Sequence, residues 1–291
     1  MDLKEVQKVE LLILEQVKII CERHNLKYFA DSGTLLGIVR NNSFIPWDND
    51  IDLAMPRKDY QKFIKYAEKE LPEPYYLQTG YKDKGFYSGL LKIRKSDTTA
   101  ILKDQFPTKK FNQGVFLDIF PLDKTLKSPK LTKLQLNLLF FCKSVLKYKS
   151  TKSLKTFSSY TYKLCMFILT PFIFILPQTF FYWCFEFWGR IGNITNSKYC
   201  DKILFRGYHK SKKIKPMPLE CYESSKIVAF ENTTVSIPAN SEIVLTSLYG
   251  SDYMTPRQEP DDHGEIFFDL NNSYLRYLNN ELKIDYTNGE K

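Results

Sequence analysis

Between Phe44 and Met55 the chain reads FIPWDNDIDLAM, with Asp48, Asp50 and Asp52 at every second position. In an extended strand such residues share one face, successive carboxylates lying about 6–7 Å apart. Ile51 and Leu53 then point the other way, toward a core. Aspartate is a poor strand former, and like charges on one face repel. At an effective dielectric near 20, each neighbouring pair costs about 2–3 kcal/mol when partly shielded from water. A hard divalent cation such as Mg²⁺ would offset that cost, because it selects carboxylate oxygens. A solvated edge with turn-forming aspartates after Pro46 is the alternative. The apolar ending, Leu53-Ala54-Met55, favours burial.

The length of 291 residues allows one large domain or two ordinary ones, and 43% hydrophobic residues can furnish a sizeable core. Six cysteines, Cys21, Cys142, Cys165, Cys184, Cys200 and Cys221, are widely spaced with no C-x-x-C pair. They read as buried thiols in a reducing compartment, not as a disulfide frame or zinc site. The start, Met1-Asp2-Leu3-Lys4-Glu5, lacks the basic, then apolar, pattern of a signal peptide, so a cytoplasmic location is expected.

The net charge of +9 belongs to one segment. No acidic residue occurs between Asp123 and Glu186, whereas ten lysines do, and without those ten the chain would stand at −1. Within the same segment Cys165–Phe185 runs 21 residues without a charge, interrupted by Pro171 and Pro177. That length only just spans a bilayer. A re-entrant or monotopic lobe is expected, its lysines drawn to anionic lipid; a buried helical subdomain with a solvated lysine face is the alternative. The segment holds no arginine and no aromatic platform between closely set cations, so no nucleic-acid partner is expected.

Elsewhere the pattern is mixed α and β. Val6, Val9, Ile13, Val17 and Ile20 recur at helical spacing over residues 3–24, and Lys58–Leu71 repeats the pattern until Pro72 and Pro74. Strands are expected at Lys27–Ala30, Tyr75–Gln78, Tyr87–Arg94, Val115–Ile119 and Thr233–Ile237, and a helix at Leu131–Tyr148. After the first strand, Ser32-Gly33-Thr34 opens a helix, an order that turns backbone N–H groups toward a place where phosphate can sit. Lys92 and Arg94 share a strand face, as phosphate-binding cations or as a solvated edge. Asp118, between Leu117 and Ile119, is a carboxylate in a strand core, costly unless paired or metal-bound. It becomes the third acid beside Asp50 and Asp52. Together these parts meet the needs of metal-assisted phosphoryl transfer.

This arrangement resembles the nucleotidyltransferase (polymerase-β-like) superfamily and, within it, the LicD family of choline phosphotransferases, which includes fukutin-type enzymes. The resemblance rests on ADSGTLLGIVRNNSFIPWDNDIDLAM (Ala30–Met55), FLDIFPLD (Phe116–Asp123) and LYGSDYMTPRQEPDDH (Leu248–His263). It implies an α+β, polymerase-β-type mixed sheet flanked by helices, with a hydrophobic helical insertion. A catalytic core over 1–123, a membrane-associated insertion over 124–198 and a completing part over 199–291 are expected.

The resemblance also implies the chemistry. A CDP-activated alcohol, in the type case CDP-choline, donates its phospho-alcohol to a hydroxyl of a glycan precursor of teichoic acid, capsule or lipopolysaccharide type. Asp50, Asp52 and Asp118 are the implied catalytic acids and ligands of Mg²⁺ or Mn²⁺. Ser32, Gly33 and Thr34, with Lys92 and Arg94, are implied to bind the donor, Asp48 to support the metal, and His263 to have a looser role. The acceptor is expected to be lipid-linked and the enzyme peripheral at the inner face of the plasma membrane. The competing readings are a nucleotide-sugar glycosyltransferase with an Asp-x-Asp metal site and a non-enzymatic membrane scaffold.

Overall fold

A computed structural model describes residues 2–103, 110–157, 159–208, 215–256 and 265–284. Helix α1 (Leu3–Arg23) starts where the Asp2 carboxylate accepts the Lys4 N–H at 3.0 Å. Its buried stripe runs through Val6, Glu10, Ile13, Leu14, Val17, Ile20 and Cys21. Each buried aliphatic side chain there stabilises by about 1.5–3 kcal/mol. Asn25, in the left-handed region at φ 49°, ends the helix as its sequence position suggests.

The chain continues through β1 (Phe29–Ala30), α2 (Ser32–Asn41), β2 (Asp52–Pro56), α3 (Arg57–Glu70), β3 (Tyr75–Gln78), β4 (Leu91–Lys95), β5 (Thr99–Leu102) and β6 (Val115–Lys124). Five of these strands form a sheet in the order β1-β2-β6-β4-β3. Strands β1 and β2 are antiparallel, with Phe29 opposite Ala54 and Ala30 opposite Leu53; β3 and β4 are likewise antiparallel, with Gln78 opposite Lys92. This is an α+β architecture.

The expected strand over Phe44–Met55 is shorter than its alternation suggests. Only Asp52–Pro56 is strand, and residues 44–51 form an irregular approach with a turn at Pro46-Trp47. Proline cannot donate to a ladder, and Asp and Asn are poor strand residues, so pairing begins where the apolar run does. Ile51 and Leu53 are nevertheless buried, as the alternation required. The strand expected over Tyr87–Arg94 contracts to β4, and that over Val115–Ile119 extends to Lys124 as β6.

Beyond β6 come α4 (Pro129–Thr151), α5 (Tyr160–Ile175), α6 (Gln178–Arg190), β7 (Tyr199–Asp201), α7 (Ile203–Tyr208), β8 (Met217–Pro218), the β9 (Ser225–Phe230) and β10 (Thr233–Pro238) hairpin, α8 (Ser241–Tyr249), β11 (Ile266–Asp269) and α9 (Tyr274–Leu278). The chain divides into two compact units. One comprises residues 1–78, 92–120 and 220–291; the other comprises 79–91 and 121–219. In the first, β11 pairs antiparallel with β5, β10 lies against β1, and α8 packs on α2.

In the second unit, Tyr182 and Phe185 of α6 pack with Leu139, Cys142 and Leu146 of α4, and Met166 and Ile173 of α5 pack with Val145 and Tyr148. The charge-free run is thus two helices broken at Pro177, while Pro171 sits inside α5 without ending it. Among the described residues no single helix is long and apolar enough to cross a membrane, but α5 and Gln178–Ile194 pass that test as a pair bent by 113°. All six cysteines are free thiols. Cys165 departs from the expected burial: it lies on the exposed face of α5.

Candidate active site

Three aspartates from two chain segments converge. Asp50 lies near the end of the irregular approach to β2, Asp52 is the first residue of β2, and Asp118 lies in neighbouring β6. The Asp118 N–H donates to the Ile51 carbonyl at 2.9 Å, which fixes the two segments in register. Each acid offers an oxygen, and these oxygens all lie within 4.8 Å of one another, with Asp50 and Asp118 buried and Asp52 half-buried. Three hard oxygen donors at that spacing suit a divalent cation such as Mg²⁺ or Mn²⁺.

Helix α2 is tied to the same place. The Asp31 N–H donates to the Asp52 carbonyl at 2.9 Å, and the Asp52 N–H donates to the Thr34 hydroxyl at 2.9 Å. Ser32 opens the helix in the left-handed region, φ 48°. A non-glycine residue there costs about 1–3 kcal/mol, strain that concentrates at functional sites. Gly33 follows for a visible reason: a Cβ on it would lie 2.5 Å from Asp48 Oδ2. The Asp48 carboxylate therefore rests against the first turn of α2, where the helix dipole favours an anion. Its own carbonyl accepts from Gln7 Nε2 at 2.9 Å.

Strand β4 carries two buried cations, of which Lys92 meets the acids. Lys92 Nζ lies 2.6 and 2.8 Å from the two oxygens of Asp118 and 3.4 Å from the centre of the Phe116 ring. Burial pushes the Lys92 pKa down, and the neighbouring Arg94 adds to that against the opposing pull of Asp118. Arg94 donates from Nε to Gln78 Oε1 and from a terminal nitrogen to the Gly114 carbonyl, each at 2.7 Å. It braces the sheet, and its charge acts on the site through Lys92.

One acid that the sequence pattern did not single out belongs here. Glu10 of α1 is buried, and its Oε2 has no hydrogen-bond partner. Burial first, then the charges of Asp50, Asp48, Asp118 and Asp52, push its pKa well above the carboxylate range. The signal was present: Glu10 lies four residues after Val6 and three before Ile13, on the apolar stripe. The structure thus brings together Asp48, Asp50, Asp52, Asp118, Lys92 and the Ser32–Thr34 turn. Arg40 of α2 donates to the carbonyls of Tyr253 and Thr255, the latter at 3.0 Å, which ties the Leu248–His263 motif to α2 as far as it is described. His263 lies outside the described residues.

The acid cluster beside a helix-opening turn has the donors to hold a divalent cation next to an anion, and comparison with known proteins adds to that. Residues 25–147 match the family described as LicD/FKTN/FKRP, nucleotidyltransferase domain. It is 36% identical over 130 residues to the lipopolysaccharide cholinephosphotransferase LicD of Haemophilus influenzae, covering 44% of this chain and 47% of that one. An uncharacterised protein of Rickettsia typhi is 28% identical over 125 residues, 38% of this chain and 37% of that one. The chain therefore spans about half the length of the first relative and less of the second.

Proposed function

We propose that the unit carrying the acids is a polymerase-β-type nucleotidyltransferase fold that transfers a phospho-alcohol, phosphocholine from CDP-choline, to a glycan hydroxyl. The observation that carries the reading is the meeting of Asp50, Asp52 and Asp118 within 4.8 Å, in a chain 36% identical over 130 residues to a cholinephosphotransferase. In the reaction, the acceptor oxygen attacks the phosphorus that bears choline. The bond from that phosphorus to CMP breaks, CMP leaves with the electron pair, and the hydroxyl proton passes to a carboxylate.

Asp50, Asp52 and Asp118 would hold Mg²⁺ or Mn²⁺. When bound, such an ion neutralises charge on the transferring phosphoryl group and its leaving oxygen. Asp118, turned toward the site by β6, is the residue assigned to receive the hydroxyl proton. The backbone N–H groups of Ser32, Gly33 and Thr34 face the donor diphosphate, which in this reading displaces the Asp48 carboxylate from Gly33. Lys92 lends its ammonium to the same phosphates, and Arg94, anchored on Gln78 and Gly114, adds positive potential. The acceptor is a lipid-linked precursor of teichoic acid, capsule or lipopolysaccharide type. The enzyme works at the inner face of the plasma membrane, with the 121–219 unit as its membrane-associated part.

A thermal-shift panel with Mg²⁺ and CDP-choline, CDP-ribitol, CDP-glycerol and a nucleotide-sugar tests the donor. Stabilisation by CDP-choline, with release of CMP and phosphocholine when no acceptor is supplied, is the expected result. Stabilisation by the nucleotide-sugar alone, with release of free sugar, would replace this reading by a glycosyltransferase.

A further inference from the structure

Helices α5 and α6 use their inward faces to build the second unit's core, yet their outward faces are apolar too. On α5, Leu164, Phe167, Ile168, Phe172 and Ile175 are all exposed, Phe167 by 65% and Ile175 by 78%. Their spacing of three, four, eight and eleven residues from Leu164 makes one continuous stripe along the helix. On α6, Phe180, Trp183 and Phe187 form an exposed ladder of stacked rings, with centroids 6.4 and 5.4 Å apart. A solvated helix inverts this pattern and puts polar residues outside. Apolar patches of this kind mark a surface that meets another phase or molecule.

Charge and geometry say which. Lys152 and Lys155, both exposed, precede α5, and Lys163 lies in its first turn, while no acidic residue occurs from 124 to 185 to offset them. Two copies of such a face would bring lysine against lysine, whereas an anionic lipid surface complements it. At 16 residues α5 is about 24 Å long, short of the roughly 30 Å hydrocarbon core. The 113° bend at Leu176-Pro177 prevents α6 from extending it into a straight span. Both faces lie beyond residue 147, where the family match ends.

From these observations we propose that the outward stripes of α5 and α6 form a monotopic wedge. The wedge enters one leaflet of a bilayer containing anionic lipid, to the depth of the aromatic side chains, and its lysines lie at the headgroups. This deepens the peripheral placement proposed above and rests on it.

The test is co-sedimentation of the full chain with phosphatidylcholine vesicles, with and without phosphatidylglycerol. The expected result is binding to the anionic vesicles, weakened at about 0.5 M salt by screening of the lysines. The combined variant Phe167→Ser, Phe172→Ser, Ile175→Ser changes only exposed side chains, and it should bind those vesicles about tenfold or more weaker. Brominated acyl chains should quench tryptophan fluorescence in the parent but much less in Trp183→Phe. Equal vesicle binding by parent and triple variant, or quenching that Trp183→Phe leaves intact, would overturn the wedge. So would a concentration-dependent dimer that the triple variant abolishes while the parent ignores vesicles, since a second copy would then cover the face. The CDP-choline thermal shift is read on the same triple variant. A shift retained with vesicle binding lost supports both proposals; no shift in either protein, with vesicle binding as expected, rejects the donor and leaves the wedge standing.

Discussion

Lys92 Nζ holds both oxygens of Asp118, at 2.6 and 2.8 Å, with both side chains buried. The cluster of acids thus carries an internal cation that offsets part of its repulsion. Breaking a buried pair by removing one partner costs about 3–5 kcal/mol, because the other charge is left in the interior. Lys92→Met should lower stability by an amount in that range without divalent ion, and added Mg²⁺ should restore part of it. Urea unfolding with and without Mg²⁺ measures both effects. An unchanged midpoint would mean that the pair contributes nothing.

The paired substitution Asp50→Asn with Asp52→Asn removes two charges from a crowded, partly buried cluster. The variant should be at least as stable as the parent in EDTA, because the repulsion is relieved. It should show no stabilisation by Mg²⁺ and no CMP release. A thermal melt in EDTA and in Mg²⁺ separates this outcome from misfolding, which would lower both melting temperatures. Transfer at the parental rate would dismiss the acids as catalytic.

Gly33→Ala puts a methyl group 2.5 Å from Asp48 Oδ2, a distance that neither atom can keep. The carboxylate must swing away, at a cost of about 1–3 kcal/mol for overpacking. Combining Gly33→Ala with Asp48→Ala should recover most of that stability, a coupling that a double-mutant cycle reads directly. Donor binding should stay weakened in both alanine variants of Gly33, because the methyl group remains where the diphosphate is proposed to approach. Additive stability effects would show that the two residues do not press on each other.

A pH window follows from the C-terminal cluster. Tyr277 donates to Asp269 Oδ2 at 2.5 Å, and Asn272 donates to the same oxygen at 2.8 Å. Burial works to raise the Asp269 pKa, but the hydrogen bonds from Tyr277, Asn272 and the Asn271 N–H outweigh it and hold the pKa below the usual range. Burial and the same bond push Tyr277 up to about 12. A depressed acid contributes stability above its unfolded pKa, near 4, and loses it as pH falls through the folded value. A raised phenol contributes below its unfolded pKa, near 10, and loses it as pH rises through the folded value. Tyr277→Phe should therefore cost about 1 kcal/mol across the middle of the range, the net worth of one hydrogen bond. Its deficit should shrink at both ends, as melts of both proteins from acid to alkaline pH would show. A deficit independent of pH would assign the effect to packing.

The meeting of the three acids could be read from residue order, though partly through a wrong intermediate. Alternation led to Asp50 and Asp52 as a pair, although only Asp52 lies in a strand; what survives is the burial of Ile51 and Leu53, which anchors the segment whatever its hydrogen bonding. Asp118 was legible because a carboxylate amid Leu117 and Ile119 has no cheap solvent-facing alternative. The pairing of Lys92 with Asp118 was not, because it joins residues 26 apart through a strand register that only the folded sheet defines. Glu10 escaped because a glutamate in an amphipathic helix is ordinarily assigned to the wet face. The break at Pro177 was visible, whereas the outward apolar stripes needed the inward faces to be known first.

The first unit is assembled from three separated pieces of chain, and its last piece begins at Glu220. By residue 118 a growing polypeptide already carries all three acids. Yet β10, which lies against β1, α8, which packs on α2, and β11, which pairs with β5, are still unmade. Strand β1 and helix α2, beside the acids, thus wait during synthesis for a covering about two hundred residues downstream, while most of the second unit is threaded in between. A polypeptide halted at residue 219 would hold every acid of the site and no finished site. The packing around the candidate site is therefore complete only once residues 220–291 have joined the first unit.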